Sequence, residues 1–510
     1  MTNSSANNKR IAKNTILLYI RMFFIMAVTL FTSRVVLNTL GVVDFGIYNV
    51  VGGVVAMMGI LNGAMAVSTQ RYLTFELGRG DTVRLKQVFS VCLTIFFLLS
   101  VIVVILAETV GLWFLHNKMV IPAERMTAAN WVYQYSILAC ILSLVVNPFN
   151  ATIIAHERMN VYAYVSILEV SLKLAVVYLL LVIPADRLST YGLLILISQA
   201  IVALTYIVYC WRHFKETHYR FYWERPLFIE LVSYSGWNLF GSVSTLVKGQ
   251  GLNILLNMFF NPAVNAARGI AYQINSAITQ FFTNFYTAVR PQITKYYAQG
   301  DMEDMLKLVF RSSKFSFYLI MLISMPIVIE APYIVNLWLG QLPEYVVPFT
   351  RLIIVISAID AMATPLMTAA HATGHIRLYQ FSVGTMTILN LPISYVFLKL
   401  GGQPLTVFYV SLCISTICLF MRLWIVHRLM DFPVKRYIIQ VFGSCVFICA
   451  VALIIPLTIH LLLRENFVNV MIVCLVCVLS TITTVYGLGL TKHERGLVVD
   501  ILRKKILHKK

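Results

Sequence analysis

The chain is built from apolar runs about as long as a bilayer crossing, separated by short polar breaks. A crossing needs about 20 apolar residues, in a helix that satisfies its own backbone hydrogen bonds. Reading the runs between breaks predicts fourteen helices: 14–40, 45–70, 87–115, 129–150, 160–183, 190–210, 229–257, 263–289, 309–338, 347–371, 378–399, 404–427, 437–462 and 467–490. The expected fold class is an all-α polytopic membrane protein of about fourteen transmembrane helices. Composition agrees: only 12% of residues are charged and mean hydropathy is +0.81, whereas a soluble domain carries about a quarter charged residues. The longest polar breaks, 71–86, 211–228 and 290–308, are all basic.

A net charge of +19 would suggest a nucleic-acid partner in a soluble protein. Here the basic residues sit in short loops, so the positive-inside rule is the better explanation, and no nucleic acid is expected. With the N-terminus inside, inner segments carry 28 Lys and Arg and outer loops six. Both termini are therefore expected in the cytoplasm, with an even number of helices. The N-terminus "MTNSSANNKRIAKN" has no short apolar stretch with a cleavage site, so no signal peptide is expected to be removed. All nine cysteines lie in apolar runs, including the C-x-x-C of Cys474 and Cys477. That setting disfavours thiolates, so they read as small lipid-compatible side chains. His156, His371 and His375 lack further ligand-type neighbours, so no metal site is expected. No nucleotide-binding loop, catalytic array or sizeable soluble domain is present, which excludes an ATPase or soluble catalytic domain within this chain.

The chain also repeats itself. "GDTVRLKQVFS" (80–90) and "GDMEDMLKLVFRS" (300–312) follow the second and eighth predicted helices, with Leu85, Lys86, Val88 and Phe89 recurring as Leu306, Lys307, Val309 and Phe310 at an offset of 221. "NPFNATIIAHERMNVY" (147–162) and "TPLMTAAHATGHIRLY" (364–379) end the fourth and tenth, with Tyr162 and Tyr379 offset by 217. Six helices separate the copies, so both halves enter the membrane in the same sense. The expected layout is two six-helix bundles related by a pseudo-two-fold along the membrane normal, 1–225 and 226–430. A further segment, 431–510, holds two helices and a basic tail. In such transporters the substrate site lies between the bundles, which rock to open it to either side.

These features, with the opening "NTILLYIRMFFIMAVTLFTSRVVLNTLGVVDFGIYNVVGGV" and the "AAHATGHIRLY" that closes the tenth helix, resemble the polysaccharide-flippase (Wzx-type) branch of the MOP exporter superfamily. The resemblance covers nearly the whole chain, most specifically 14–90 and 261–312. It implies a protein that moves an undecaprenyl-pyrophosphate-linked oligosaccharide from the inner to the outer leaflet of a bacterial cytoplasmic (inner) membrane. Substrates elsewhere in that superfamily are drugs, lipid II or sugar-lipids.

Ionisable groups in a bilayer are costly and usually face a cavity or a partner. The eighth helix carries Asn265, Arg268, Tyr272, Asn275, Thr279, Tyr286 and Arg290 in a narrow wedge of one face. That seam reads as one wall of a water-filled passage. Arg268 and Asn275 are candidates for substrate contact, Asn265, Tyr272 and Thr279 line the wall, and Arg290 is an interface anchor. Arg268 suits phosphate oxygens, and Lys248, across the turn, could approach it. Arg34, with Asn38 on its face, and Arg21 are further cavity candidates on the first helix, and Asn62 lines the cavity from the second. For Arg268, Lys248 and Arg21 the alternative is snorkelling to an interface. Asp44 reads as an N-cap, a partner of Arg34 or a coupling group. Asp360, with no cation nearby in sequence, is a coupling candidate or a protonated structural aspartate. Glu169 and Lys173 are spaced for an intrahelical ion pair, and Glu108 and Glu330 read as interfacial.

The expected function is a lipid-linked oligosaccharide flippase working by alternating access through a cationic cavity. No cofactor is expected beyond H+ or Na+ as coupling ion. Expected partners are the lipid-linked glycan, membrane lipids and other polysaccharide-assembly membrane proteins. The alternatives are a multidrug/cation antiporter of the same superfamily, which the excess of base opposes, and a membrane glycan polymerase or ligase, which the short outer loops oppose.

Overall fold

A computed structural model describes residues 2–117, 121–183, 186–260, 262–340, 344–464, 466–491 and 494–496, with only part of the side chains before residue 62. Among the described residues there is no strand. Fourteen long helices follow in order. They are α1 (2–40), α2 (42–79), α3 (Thr82–Asn117), α4 (Ala123–Ala155), α5 (Met159–Val182), α6 (Arg187–His213), α7 (Arg225–Phe259), α8 (Pro262–Ala298), α9 (Met302–Ile329), α10 (Val346–Ala372), α11 (Arg377–Lys399), α12 (Thr406–Met430), α13 (Val434–Leu462) and α14 (Phe467–Gly489). Ten of them, α3–α6 and α9–α14, are long and apolar enough to cross a membrane. The chain is a multi-pass membrane protein.

Each expected helix is present, but the ends differ for a physical reason. Apolarity stops at the edge of hydrocarbon, whereas backbone hydrogen bonding runs on into the polar zone. The stretches 71–79 and 290–298, expected as loop, are the last turns of α2 and α8. The run 309–338, expected as one helix, breaks at Glu330 into α9 and a short helix Ala331–Leu339. Glu330 does not face solvent there: it is 2% exposed, and its carboxylate meets the Nδ1 of His460 at 2.7 Å.

The internal repeat has a backbone cause. α2 and α8 are both followed by Gly-Asp, and Gly80 and Gly300 take φ of 76° and 75°, the left-handed conformation that ends a helix without a Cβ clash. Asp81 then caps α3 by accepting from the Arg84 N–H at 2.8 Å. The second pair behaves alike after α4 and α10, where Glu157 and Gly374, again 217 apart, hold φ of 58° and 82°.

Two compact units result, one of Met1–Ser242 with Ala288–Asp301, the other of Val243–Thr287 with Met302–Lys510. In the first, Ile47, Val51, Ala107, Leu115, Val132 and Ile137 form a buried core between α2, α3 and α4. The unit also takes in the basic ends of α7 and α8. Tyr72 donates to Glu230 at 2.8 Å, Arg84 grips Glu224 through two N–H groups at 2.6 and 3.1 Å, and Gln292 donates to Glu157. In the second unit, Leu252 and Leu256 of α7 meet Val264, Ala267 and Ala271 of α8, with Phe349, Ile353 and Phe408 behind them.

Candidate functional site

The first unit encloses a polar cavity of about 290 Å³ bounded by α1, α2, α4, α5 and α6. Arg21 and Asn62, expected in a passage between bundles, line this cavity inside the first unit instead. The Arg21 guanidinium lies 4.4 Å from the Tyr162 ring centroid, a cation–π contact, and its buried Nε has no hydrogen-bond partner. Asn62 donates to the Ser143 hydroxyl at 3.1 Å and accepts from Asn147, while the Oδ1 of Asn150 is buried and unpaired. Glu169, also on the lining, pairs with Lys173 at 2.7 Å as its spacing foretold. The cavity thus sets Arg21, which forms no ion pair among the described residues, beside amides and hydroxyls.

Arg268 in the second unit is 9% exposed and turned onto α7. Its Nη2 donates to the Gly249 carbonyl at 2.8 Å and its Nη1 to Asn253 Oδ1 at 3.3 Å, while Tyr272 packs beneath it at 4.4 Å. The helix turn allows Arg268 to approach Lys248; its hydrogen bonds go to the next residue, Gly249, and to Asn253 one turn on. The Asn265 and Asn275 side-chain oxygens are buried without hydrogen-bond partners, and the Thr279 hydroxyl is satisfied by the Asn275 carbonyl at 2.9 Å. The seam is therefore a half-buried face.

The open face of α8 was missed. Gln273, Ser276, Gln280 and Thr283 are all exposed and fall within about 80° of one another on the helix. A row of amides and hydroxyls is costly in hydrocarbon, which makes this face the candidate for contact with water or a polar ligand. Its 3-4-3 spacing was legible beside the seam but carries no charge to draw attention.

Asp360 does have a cation, supplied from α12. Arg422 Nη1 stands 3.8 Å from its Oδ1, and the Ser415 hydroxyl 3.5 Å from its Oδ2. By the 217 offset Asp360 corresponds to Ser143 on the first cavity. Both units therefore carry polar side chains at matching positions. Lys248 is half-buried and, among the described residues, forms no ion pair. The Arg34 and Asn38 side chains lie outside the described residues. Asp44 neither caps by itself nor stands free: Arg125 grips both its oxygens, Nε to Oδ1 at 2.8 Å, and reaches Asp186 at 2.6 Å. That triad fastens the ends of α2, α4 and α6.

Many apolar helices, with buried cations and an exposed polar face on α8, mark a multi-pass membrane protein with polar sites among its helices. No protein-family model matches the chain, and no curated protein matches it. Solved structures do match. A MATE transporter in its bent conformation superposes with a TM-score of 0.72 at 13% identity, covering 83% of this chain and 96% of that one. A multidrug resistance MATE family transporter of the MOP superfamily, in an outward-facing conformation, gives 0.68 at 14% identity, covering 83% and 97%. A MOP superfamily transporter from Pyrococcus furiosus, described as having a binding pocket of reverse polarity that suggests a different function, gives 0.66 at 14% identity, covering 84% and 96%. The chain has the fold of MOP superfamily transporters.

Proposed function

We propose that the protein flips an undecaprenyl-pyrophosphate-linked oligosaccharide from the inner to the outer leaflet of a bacterial cytoplasmic membrane, with both termini in the cytoplasm. The exposed face of α8 carries this reading. Gln273, Ser276, Gln280 and Thr283 offer neutral donors and acceptors suited to sugar hydroxyls. Lys248, without an ion-pair partner among the described residues, suits the pyrophosphate. The lipid tail stays in hydrocarbon while the bundles rock, drawing on a proton or sodium gradient through Asp360.

The reading is tested in a cell that needs such a glycan on its surface. Lys248→Ala combined with Gln273→Leu and Gln280→Leu is expected to abolish surface glycan at normal protein level. Undiminished glycan would refute the assignment. A second reading, antiport of cationic drugs, draws on the likeness to multidrug MATE proteins. A drug-cation site wants carboxylates, and the open face of α8 has none among its described residues. Drug-resistance profiles of an overexpressing strain separate the two.

A further inference from the structure

A second cavity, of about 320 Å³, lies at the basic end of the second unit between the first turns of α9 and α13 and the residues after α14. Its walls hold four cations, Lys307, Arg311, Lys314 and Arg436, against two carboxylates, Glu303 and Glu494. Lys307, Arg311 and Lys314 fall within about 60° of one face of α9. Two of the cations are already matched: Lys307 pairs with Glu303 at 2.6 Å, and Arg311 Nε with Glu494 at 3.0 Å. The other two are not. Arg436 gives its Nε to the neutral amide oxygen of Gln440 at 3.1 Å and lies over Phe310, and Lys314 has no ion-pair partner among the described residues. The cavity therefore holds an excess of two positive charges around an opening large enough for a phosphate group.

Depth says what brings that phosphate. Lys314 is the last charged residue of α9 before the uncharged apolar stretch 315–329, which sets it where a membrane helix enters hydrocarbon, with Phe310 and Leu306 also on the wall. A cation pair over apolar wall at that level matches a phosphodiester carried on acyl chains. We propose that this cavity binds the phosphate head group of an anionic phospholipid, clamped between Lys314 and Arg436. The site is independent of the transported substrate and holds α9 to α13 from the bilayer side. Free phosphate shares the recognising chemistry and is separated from lipid by experiment.

The full chain is purified and reconstituted in phosphatidylcholine nanodiscs with or without phosphatidylglycerol, and its melting temperature and lipid retention by native mass spectrometry are measured. Phosphatidylglycerol is expected to raise the melting temperature and to stay bound. Lys314→Gln with Arg436→Gln is expected to weaken retention about thirty-fold, from roughly one unit of binding energy per cation near the surface. Lys435→Gln, a neighbouring cation off the cavity wall, should retain lipid as the parent does. The double variant must melt like the parent in pure phosphatidylcholine, which separates lost binding from lost folding. Equal phosphatidylglycerol retention by parent and double variant overturns the proposal. So does stabilisation by inorganic phosphate with none by phosphatidylglycerol, which would make the site one for free phosphate.

Discussion

Gln292, near the end of α8, donates its side-chain amide to the carboxylate of Glu157 in the turn between α4 and α5. Glu157 is 7% exposed and holds φ of 58°, where the repeat has Gly374. A non-glycine residue in that conformation stores strain and persists only when its surroundings hold it. Here they do: Asn14 reaches the Glu157 carbonyl at 3.5 Å and Gln292 covers the acid. Gln292→Ala removes a donor from a buried carboxylate and is expected to cost about 1–3 kcal/mol. Thermal unfolding in detergent checks this, with a lower melting temperature expected.

Arg268 tests whether charge or shape matters on α8. Its planar fork reaches a backbone carbonyl and an amide oxygen on α7 at once. A lysine ammonium is a point charge and does not span both. Arg268→Lys is therefore expected to lose about 1–3 kcal/mol of stability although the charge is kept. A melting temperature unchanged from the parent would return Arg268 to the role of a free cavity cation.

How far the sequence spoke depends on which physics wrote it. Bilayer thickness is written directly as run length, so helices such as α5 and α11 were legible almost to the residue. The Gly-Asp turns were legible because left-handed backbone selects glycine. Partners distant in sequence were not. Nothing near Asp360 announces Arg422, nor does anything near Asp44 announce Arg125, because helix packing alone brings them together. The same holds for the cavity around Arg21, which needs five helices at once. The seam on α8 misled by rewarding charge: its arginine is held on α7, while the neutral row beside it stays open.

The His156–Glu216 pair outside the spans predicts a pH effect. Burial alone would raise the Glu216 carboxyl, but hydrogen bonds from His156 and from backbone hold it below its ordinary value of 4.5. A depressed carboxyl stabilises the fold above its unfolded value, and that contribution is lost as pH falls through the folded value. The parent is thus expected to lose stability below pH 4.5 more steeply than Glu216→Gln. Melting curves of both proteins over that range read the difference, and parallel curves would remove the pair from the account.

Asp360 is the group to test for coupling. Its side chain is 46% exposed, and both of its contacts are long, 3.8 Å to Arg422 and 3.5 Å to Ser415. A carboxylate so loosely held has a face free to take a proton or a sodium ion, and doing so weakens its hold on Arg422, whose Nε is buried without a hydrogen-bond partner. One charge moved through 100 mV supplies about 2.3 kcal/mol, about fifty-fold in the transported ratio. Asp360→Asn is expected to fold, to insert and to lose that gain, its transport in vesicles no longer responding to an imposed proton or sodium gradient. Asp360→Glu should keep part of the response. An asparagine variant that answers the gradient as the parent does would leave Asp360 as no more than a partner for Arg422, and the search for the coupling group would move to Glu169 in the first cavity.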